Sequence, residues 1–394
     1  MKYLILNSGS ASHKHALYED EKILYFLHFE MVEDKYVAHE KIGETKHDLE
    51  ITEKNFERSV DFTVSRLLEN KLITDKNEIK AMGVRIVAPG VFFQENRIID
   101  RTYEKNLKKA LEKAPLHLSS VIKELKFAKK VLPKTLVVGV SDSVYHRGMP
   151  ETAKYYALPI EVSRKYELYK FGYHGLSVQS VIDKLAEKNN GILPERVVVC
   201  HLGGGASITA VLRGKSIDNS MGFTPVDGLI MATRVGTIDP GAVSYLSDKL
   251  GLHGDKLLNY FNTKCGLLGL SNNKSDDIRE LLKYEAMGDF SSKLALDSYA
   301  YRARKLIGQA AVSLGGIDTL VFAGTVGERS LPMRARICLG LDFLGIKLDQ
   351  DLNNKTDSVE AEIQSVDSKV KILVIKTDEM KEIVQETIRL TKSI

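Results

Sequence analysis

Cysteine is scarce in this chain: Cys200, Cys265 and Cys338 are the only three in 394 residues, and they stand far apart. That spacing assembles neither a disulfide framework nor a CxxC metal site, and a reducing, cytoplasmic setting is expected. Net charge is also nearly missing, with 56 Lys plus Arg against 52 Asp plus Glu spread along the chain. No basic face of the size that nucleic acid demands is announced, so nucleic acid is not an expected partner. No apolar run approaches the ~20 residues that span a bilayer, and the run from Tyr3 to Leu6 is much shorter than a secretory apolar region. A soluble protein without a membrane partner is expected. Low-complexity linkers are absent as well, and at roughly 100–200 residues per domain the length points to two domains.

What is present is alternation. Short β-rich runs lie at Tyr3 to Leu6, Ile23 to Phe29, Gly83 to Val87, Leu136 to Val140, Val197 to Cys200, Ser207 to Leu212, Thr319 to Ala323 and Ile372 to Ile375. Between them, helical spacing recurs: Val60, Val64, Leu67 and Leu68 share a face, as do Leu107, Ala110 and Leu111, and Leu296, Tyr299, Ala300, Ala303 and Ile307. The pattern predicts an α/β chain with mixed sheets covered by helices. SNNKSD at 271–276 and DLNNKTD at 351–357 read as turns. The segment from Met380 to Leu390 reads as a helix that returns to the first domain.

One pattern occurs twice. LILNSGSASHKHAL at 4–17 and VVVCHLGGGASITAVL at 197–212 both run from an apolar strand through a small-residue turn into Ala-Ser and a second strand, and then reverse through a polar turn. Ala11-Ser12 and Ala206-Ser207 stand 195 residues apart. Two related domains are implied. A third glycine turn follows a strand at LVFAGTVGE, 320–328. Small residues let backbone N–H groups approach a ligand closely, which suits phosphate oxygens. GxxxxGK[ST] occurs nowhere, and these turns are expected to lead into strands rather than into a helix.

Four stretches carry residues that a plain core does not need. Arg85 lies inside an apolar strand, where a guanidinium is costly unless it meets an anion. VGVSDSVYH at 138–146 puts Asp142 at a strand end, a favoured location for chemistry in α/β sheets. YKFGYHGLS at 169–177 sets His174 between glycines, and SMGFTPVDGLIMATRVGTIDPG at 220–241 holds Arg234 and Asp239 in an irregular stretch. Each has a bland alternative: a cap for Asp142, a satisfied turn histidine, arginines paired with structural carboxylates. Together they supply the cations and the carboxylate that phosphoryl transfer uses.

HLGGGAS, DNSMGFTPVDGL, ATRVGTIDPG, FGYHGLS, APLHLS, the opening LNSGSAS and the closing KTDEM resemble the acetate kinase family of short-chain carboxylate kinases. That family sits in the superfamily of sugar kinases, heat-shock chaperone ATPases and actin. The resemblance implies two duplicated actin-like ATPase (ribonuclease H-like) domains, 1–150 plus 380–394 and 151–379, with a nucleotide in the cleft between them. It implies reversible, Mg²⁺- or Mn²⁺-dependent transfer of the ATP γ-phosphate to acetate, giving acetyl phosphate and ADP, in a cytoplasmic homodimer. By that similarity, Asn7 and Glu379 serve the metal. Ser10, Ser12 and Lys14 line the phosphate side, and His201, Gly203, Gly204 and Gly205 with Gly324, Thr325, Gly327 and Glu328 form the donor phosphate and adenosine loops. Arg85 and Arg234 bind the carboxylate and the phosphoryl group, Asp142 is the essential acid, and His174 hydrogen-bonds the phosphoryl. Val87, Leu116, Tyr173 and Pro225 form the pocket for the acyl methyl.

The chain also departs from the family pattern. HRxxHGG is replaced by Arg85-Ile86-Val87-Ala88-Pro89-Gly90 after Val84, the pocket phenylalanine by Tyr173, HLGNG by HLGGG, and GxGEN by a loop with Thr325 and Arg329. The usual Leu-Lys-Phe after the first turn is His13-Lys14-His15. The departures leave propionate or another short-chain acid, or another donor such as pyrophosphate, as alternatives to acetate and ATP. A reading of a different class is an inactive homologue or nucleotide-dependent switch.

Overall fold

The first apolar run forms β1 (Lys2–Ser8), which pairs antiparallel with β2 (Ser12–Glu19) and, through it, with β3 (Lys22–Val32), β4 (Lys35–Ile42) and β5 (Thr45–Ile51). On its other side β1 pairs parallel with β6 (Ile79–Ile86). β6 in turn pairs parallel with β8 (Leu136–Ser141), which β7 (Arg97–Ile98) flanks. The computed structural model describes residues 1–9, 12–32 and 34–393, without the side chains of 115–117.

A second sheet repeats the plan. β9 (Arg196–Leu202), β10 (Ala206–Leu212) and β11 (Lys215–Asn219) form an antiparallel meander, and β9 pairs parallel with β12 (Thr319–Ala323) and onward with β14 (Lys371–Val374), edged by β13 (Ala361–Glu362). The order β3-β2-β1-β6-β8 is thus matched by β11-β10-β9-β12-β14. This is the duplicated α/β architecture read from the repeat.

The chain divides into two units, Met1–Val144 with Asp378–Ile394, and Tyr145–Thr377. The sequence placed the boundaries at 150 and 380. The first falls earlier because Tyr145 Oη donates to the Gly214 carbonyl at 2.8 Å and His146 Nδ1 lies 2.8 Å from Ser216 Oγ, fastening this segment to the second unit; the second falls at Asp378, which caps the helix Glu379–Thr391.

In the first unit, Leu4 and Leu6 with Leu27, Met82 and Val84 meet helices Ser59–Glu69, Arg101–Leu111 and Pro115–Val131 in one apolar core. The helix Glu379–Thr391 packs on the other face, where a Cβ on Gly83 would stand 2.1 Å from Thr387 Oγ1. In the second unit, Val197 and Val199 face the helix Gly175–Lys188. The 25-residue helix Phe290–Leu314 packs against β9, β10 and β11, buries Leu296, Tyr299, Ala300, Ala303 and Ile307, and is capped by Asp289. No helix of the described residues is long and apolar enough to cross a membrane.

Three expectations are corrected. β4 and β5 were not anticipated, because KYVAHEKI and TKHDLEI carry charge on both faces. Residues 351–357 do not form only a turn: Asp349 accepts from the Leu352 N–H and starts the helix Gln350–Asn354. The third glycine turn leads into a helix, Gly324–Arg329, with no strand after it.

Candidate active site

Asn7, Arg85 and Asp142 stand at the C-terminal ends of three adjacent parallel strands, β1, β6 and β8, the end of an α/β sheet at which ligand chemistry collects. Arg85 Nη2 donates to Asp142 Oδ2 at 2.9 Å and Arg85 Nη1 to Asn7 Oδ1 at 3.2 Å. Asn7 Nδ2 donates to Glu379 Oε2 at 2.7 Å, and that carboxylate lies 3.4 Å from Arg85 Nη1. Burial opposes the charge on Arg85, but the Asp142 and Glu379 carboxylates outweigh it and raise the guanidinium pKa, so the cation persists. An amide oxygen and two carboxylates are hard oxygen donors, a set that fits a magnesium-type ion. Register pairs Asn7 with Lys14, which is exposed on the same face of the hairpin; Ser12 is half-buried and Val87 follows β6 directly. Ser10 and the side chain of Leu116 lie outside the described residues.

The second unit gathers a complementary set. His174 takes a left-handed conformation at φ +59°, ahead of the helix Gly175–Lys188. Its Nδ1 lies 3.0 Å from Ser207 Oγ, and its ring stacks on His201 with centroids 4.1 Å apart. His201 Nδ1 is 2.6 Å from Ser177 Oγ. Between β9 and β10, Gly203 N–H donates to the Gly205 carbonyl at 3.0 Å. A Cβ on Gly205 would stand 3.2 Å from His174 Nε2 and 3.4 Å from Arg234 Nη1. The histidine, the arginine and the glycine turn therefore converge. Arg234 Nη1 also donates to the Pro225 carbonyl at 3.1 Å.

The loop holding Arg234 is clamped by a segment that sequence reasoning missed. The N–H groups of Cys265 and Leu267 donate to the Thr233 and Met231 carbonyls, and a Cβ on Gly266 would stand 2.2 Å from the Met231 carbonyl oxygen. Gly266 has φ +64°, so only glycine fits there easily. Tyr173 is buried, and its hydroxyl donates to the Phe223 carbonyl at 2.7 Å.

Near the other donor loop, Gly324 has φ +74° and lies so close to β9 that a Cβ would meet the Leu202 carbonyl oxygen at 2.7 Å. Thr325 lies in the first turn of the helix Gly324–Arg329, and Glu328 accepts weakly from the Thr377 N–H at 3.4 Å. A second missed residue holds this loop. Fully buried Arg334 donates to the Gly327 and Glu328 carbonyls at 2.9 and 3.0 Å and to Asn353 Oδ1 at 2.9 Å. Burial pulls its pKa down to about 10, still well above neutrality. Nothing in its local sequence, LPMRARIC, separates it from a solvated helix arginine.

Duplicated sheets of this order, glycine turns in place of a P-loop, and clustered arginines and histidines define a phosphotransferase of the actin-like ATPase fold. A family model described as the Acetokinase family matches residues 2–385. Acetate kinases from Acetivibrio thermocellus and Thermotoga maritima are 38% and 37% identical, each over the full length of both chains. Among solved structures, acetate kinase from Porphyromonas gingivalis aligns with a TM-score of 0.86 at 33% identity over 99% of each chain. A propionate kinase from Francisella tularensis aligns at 0.88 and 34% identity over 98% of each chain. The chain belongs to the acetokinase family, the acetate kinases. Its class is that of phosphotransferases with a carboxyl group as acceptor, and ATP use comes with the family.

Proposed function

We propose that this protein transfers the γ-phosphoryl group of ATP reversibly to acetate by direct in-line displacement, giving acetyl phosphate and ADP. The observation that carries the reading is Arg85, a partly buried guanidinium kept charged by Asp142 and Glu379 at the end of a parallel strand. Acetate is already ionised at pH 7, so attack needs no general base. What the reaction needs is compensation of the repulsion between two anions and of the charge on the equatorial oxygens in the transition state. Arg85 orients the acetate carboxylate. Arg234 and His174 hydrogen-bond the phosphoryl group in transit, and the Gly203–Gly205 turn leaves room for phosphate oxygens beside them. Asp142 holds Arg85 in position rather than abstracting a proton. Asn7 and Glu379, with Asp142 nearby, would hold Mg²⁺ or Mn²⁺, which when bound supplies charge neutralisation on the donor phosphates.

Val87, Leu116, Tyr173 and Pro225 select a small apolar acyl group. Tyr173 fits that role despite its hydroxyl, because the hydroxyl is taken up by the Phe223 carbonyl. The likeness to a propionate kinase supports a second substrate, and one methylene in an apolar pocket discriminates by only about 10- to 200-fold. A switch without turnover would not need Arg85 held in this way. The homodimer remains part of the same reading, and light scattering in solution tests it.

The test is a hydroxamate trap for acyl phosphate, run with Mg²⁺ across acetate, propionate, butyrate and longer acids against ATP, GTP and pyrophosphate. Product with acetate and ATP, with propionate slower, is expected. Product only with another acid or donor would reassign the specificity, and no product with any pair would leave the inactive or switch reading standing.

A further inference from the structure

The β1–β2 hairpin has two working faces. Asn7 and Lys14 pair in register, as do Ser8 and His13, and Leu6 and His15, so Ser8, His13 and His15 lie on the face opposite Asn7. On that reverse face the helix Pro115–Val131 presents Glu124, which is 5% exposed. His15 Nε2 stands 3.2 Å from Glu124 Oε1 and His13 Nδ1 stands 3.8 Å from it. One donor atom from each of the three residues lies within 4.8 Å of the others. Ser8 Oγ donates to the same carboxylate oxygen at 2.6 Å.

This is a costly arrangement for an apolar core. The rings of His13 and His15 pack against Phe56 and Phe29, and residues of the Leu-Lys-Phe type would fill the space without polar atoms. Among the described residues, the buried atoms His13 Nδ1 and Glu124 Oε2 have no hydrogen-bond partner. Unmet buried donors and acceptors are rare, because each forfeits its hydration without compensation. His15 Nδ1, by contrast, is 2.7 Å from Thr63 Oγ1, the second-sphere contact that fixes a metal-ligating imidazole.

We propose that His13, His15 and Glu124 bind one divalent cation of the zinc class, a structural ion that fastens β2 to the helix Pro115–Val131. Metal–ligand bonds of ~2.0–2.1 Å put the donors of a tetrahedral site roughly 3.3 Å apart; the two histidine–carboxylate separations, 3.2 and 3.8 Å, bracket that spacing, and the third lies within 4.8 Å. Two imidazoles and one carboxylate suit Zn²⁺ or Co²⁺ rather than Mg²⁺, which prefers oxygen throughout. Water or the Ser8 hydroxyl completes the fourth position. The ion stands apart from the Asn7–Glu379 pair, on the opposite face of the hairpin, and braces the strand that carries Ser12 and Lys14.

The full-length protein is stripped with a chelator and titrated with Co²⁺ in excess Mg²⁺, and Zn²⁺ is then added. The expected result is one Co²⁺ per chain with the visible absorption of a four-coordinate site, displaced by Zn²⁺. Zn²⁺ at 100-fold above its dissociation constant should raise the melting temperature by roughly 5–10 °C. His13→Leu combined with His15→Phe, and separately Glu124→Gln, should abolish the absorption, and Thr63→Val should weaken binding by roughly 10- to 100-fold. Absence of a Zn²⁺-displaceable Co²⁺ spectrum in the unaltered protein overturns the proposal. So does undiminished affinity in the double variant, since the ion would then sit elsewhere.

Discussion

Glu40 is a carboxylate on a strand that looks fully solvated in sequence, yet it is 2% exposed and accepts from Arg66 Nε and Nη2 at 2.9 and 2.7 Å and from Tyr25 Oη at 2.7 Å. Burial raises its pKa, but the Arg66 and Tyr25 hydrogen bonds outweigh burial and the net shift is downward. A carboxyl with a folded pKa below its unfolded value stabilises the fold above the unfolded value and loses that contribution as pH falls through the folded one. Glu40→Gln should therefore cost about 1–3 kcal/mol at pH 7, and the gap in melting temperature between the two proteins should narrow as pH falls below about 4. Tyr173→Phe is expected to behave differently: with its hydroxyl committed to the Phe223 carbonyl, the change should cost about 1 kcal/mol of stability and leave the preference for acetate over propionate nearly intact. A large swing in that preference would place the hydroxyl in the acyl pocket. Residues of this kind divide by legibility. Arg85 and Asp142 stood out because a charge in or beside an apolar strand demands a reason. Glu40, Arg334 and Gly266 did not, since their partners are 26, 19 and 32 positions away (Arg66, Asn353 and Arg234) and no local pattern marks them.

Among the elements, strands with one or two wholly apolar faces were readable, and so was the helix Glu379–Thr391 from Ile383, Thr387 and Leu390. β4 and β5 were not: β5 is the sheet's edge and uses Lys, His, Asp and Glu against further pairing, and β4 beside it carries charge on both faces and so alternates weakly. The short helix Gly324–Arg329 was hidden by its two glycines, which lower helix propensity and read as a turn. Its position depends on Arg334, whose guanidinium takes the carbonyls of Gly327 and Glu328. Arg334→Met should leave those carbonyls unpaired, lower the melting temperature and weaken ADP binding measured by calorimetry together, whereas a purely local packing defect would move the first alone. The C-terminal helix offers a steric counterpart. A Cβ on Gly83 would stand 2.1 Å from Thr387 Oγ1, so Gly83→Ala should destabilise by about 1–3 kcal/mol, and adding Thr387→Ala should recover part of the loss.

For the molecule as a whole, the duplication sets a division of labour. The first unit holds Asn7, Arg85, Asp142 and Glu379 in one connected set, and the second holds His174, His201, Arg234 and the Gly203–Gly205 turn in another. Each set is assembled by contacts within its own unit, so damage to one should leave the other built. Under the proposed chemistry, Arg85 serves the acceptor and the transition state, while the glycine turn and the loop at Gly324–Glu328 serve the donor. Arg85→Ala should then lower acyl phosphate formation by at least about 10²- to 10³-fold while the ADP dissociation constant stays within about threefold. Gly205→Ala tests the converse, since its Cβ would crowd His174 Nε2 at 3.2 Å and Arg234 Nη1 at 3.4 Å and displace both by a few tenths of an ångström. A fall of roughly 10- to 100-fold in kcat is expected, with acetate KM nearly unchanged, because the two side chains are shifted where the phosphoryl group passes rather than where acetate binds. If Gly205→Ala instead raised acetate KM at constant kcat, or if Arg85→Ala lost ADP along with turnover, the assignment of donor and acceptor roles to the two residue sets would have to be abandoned.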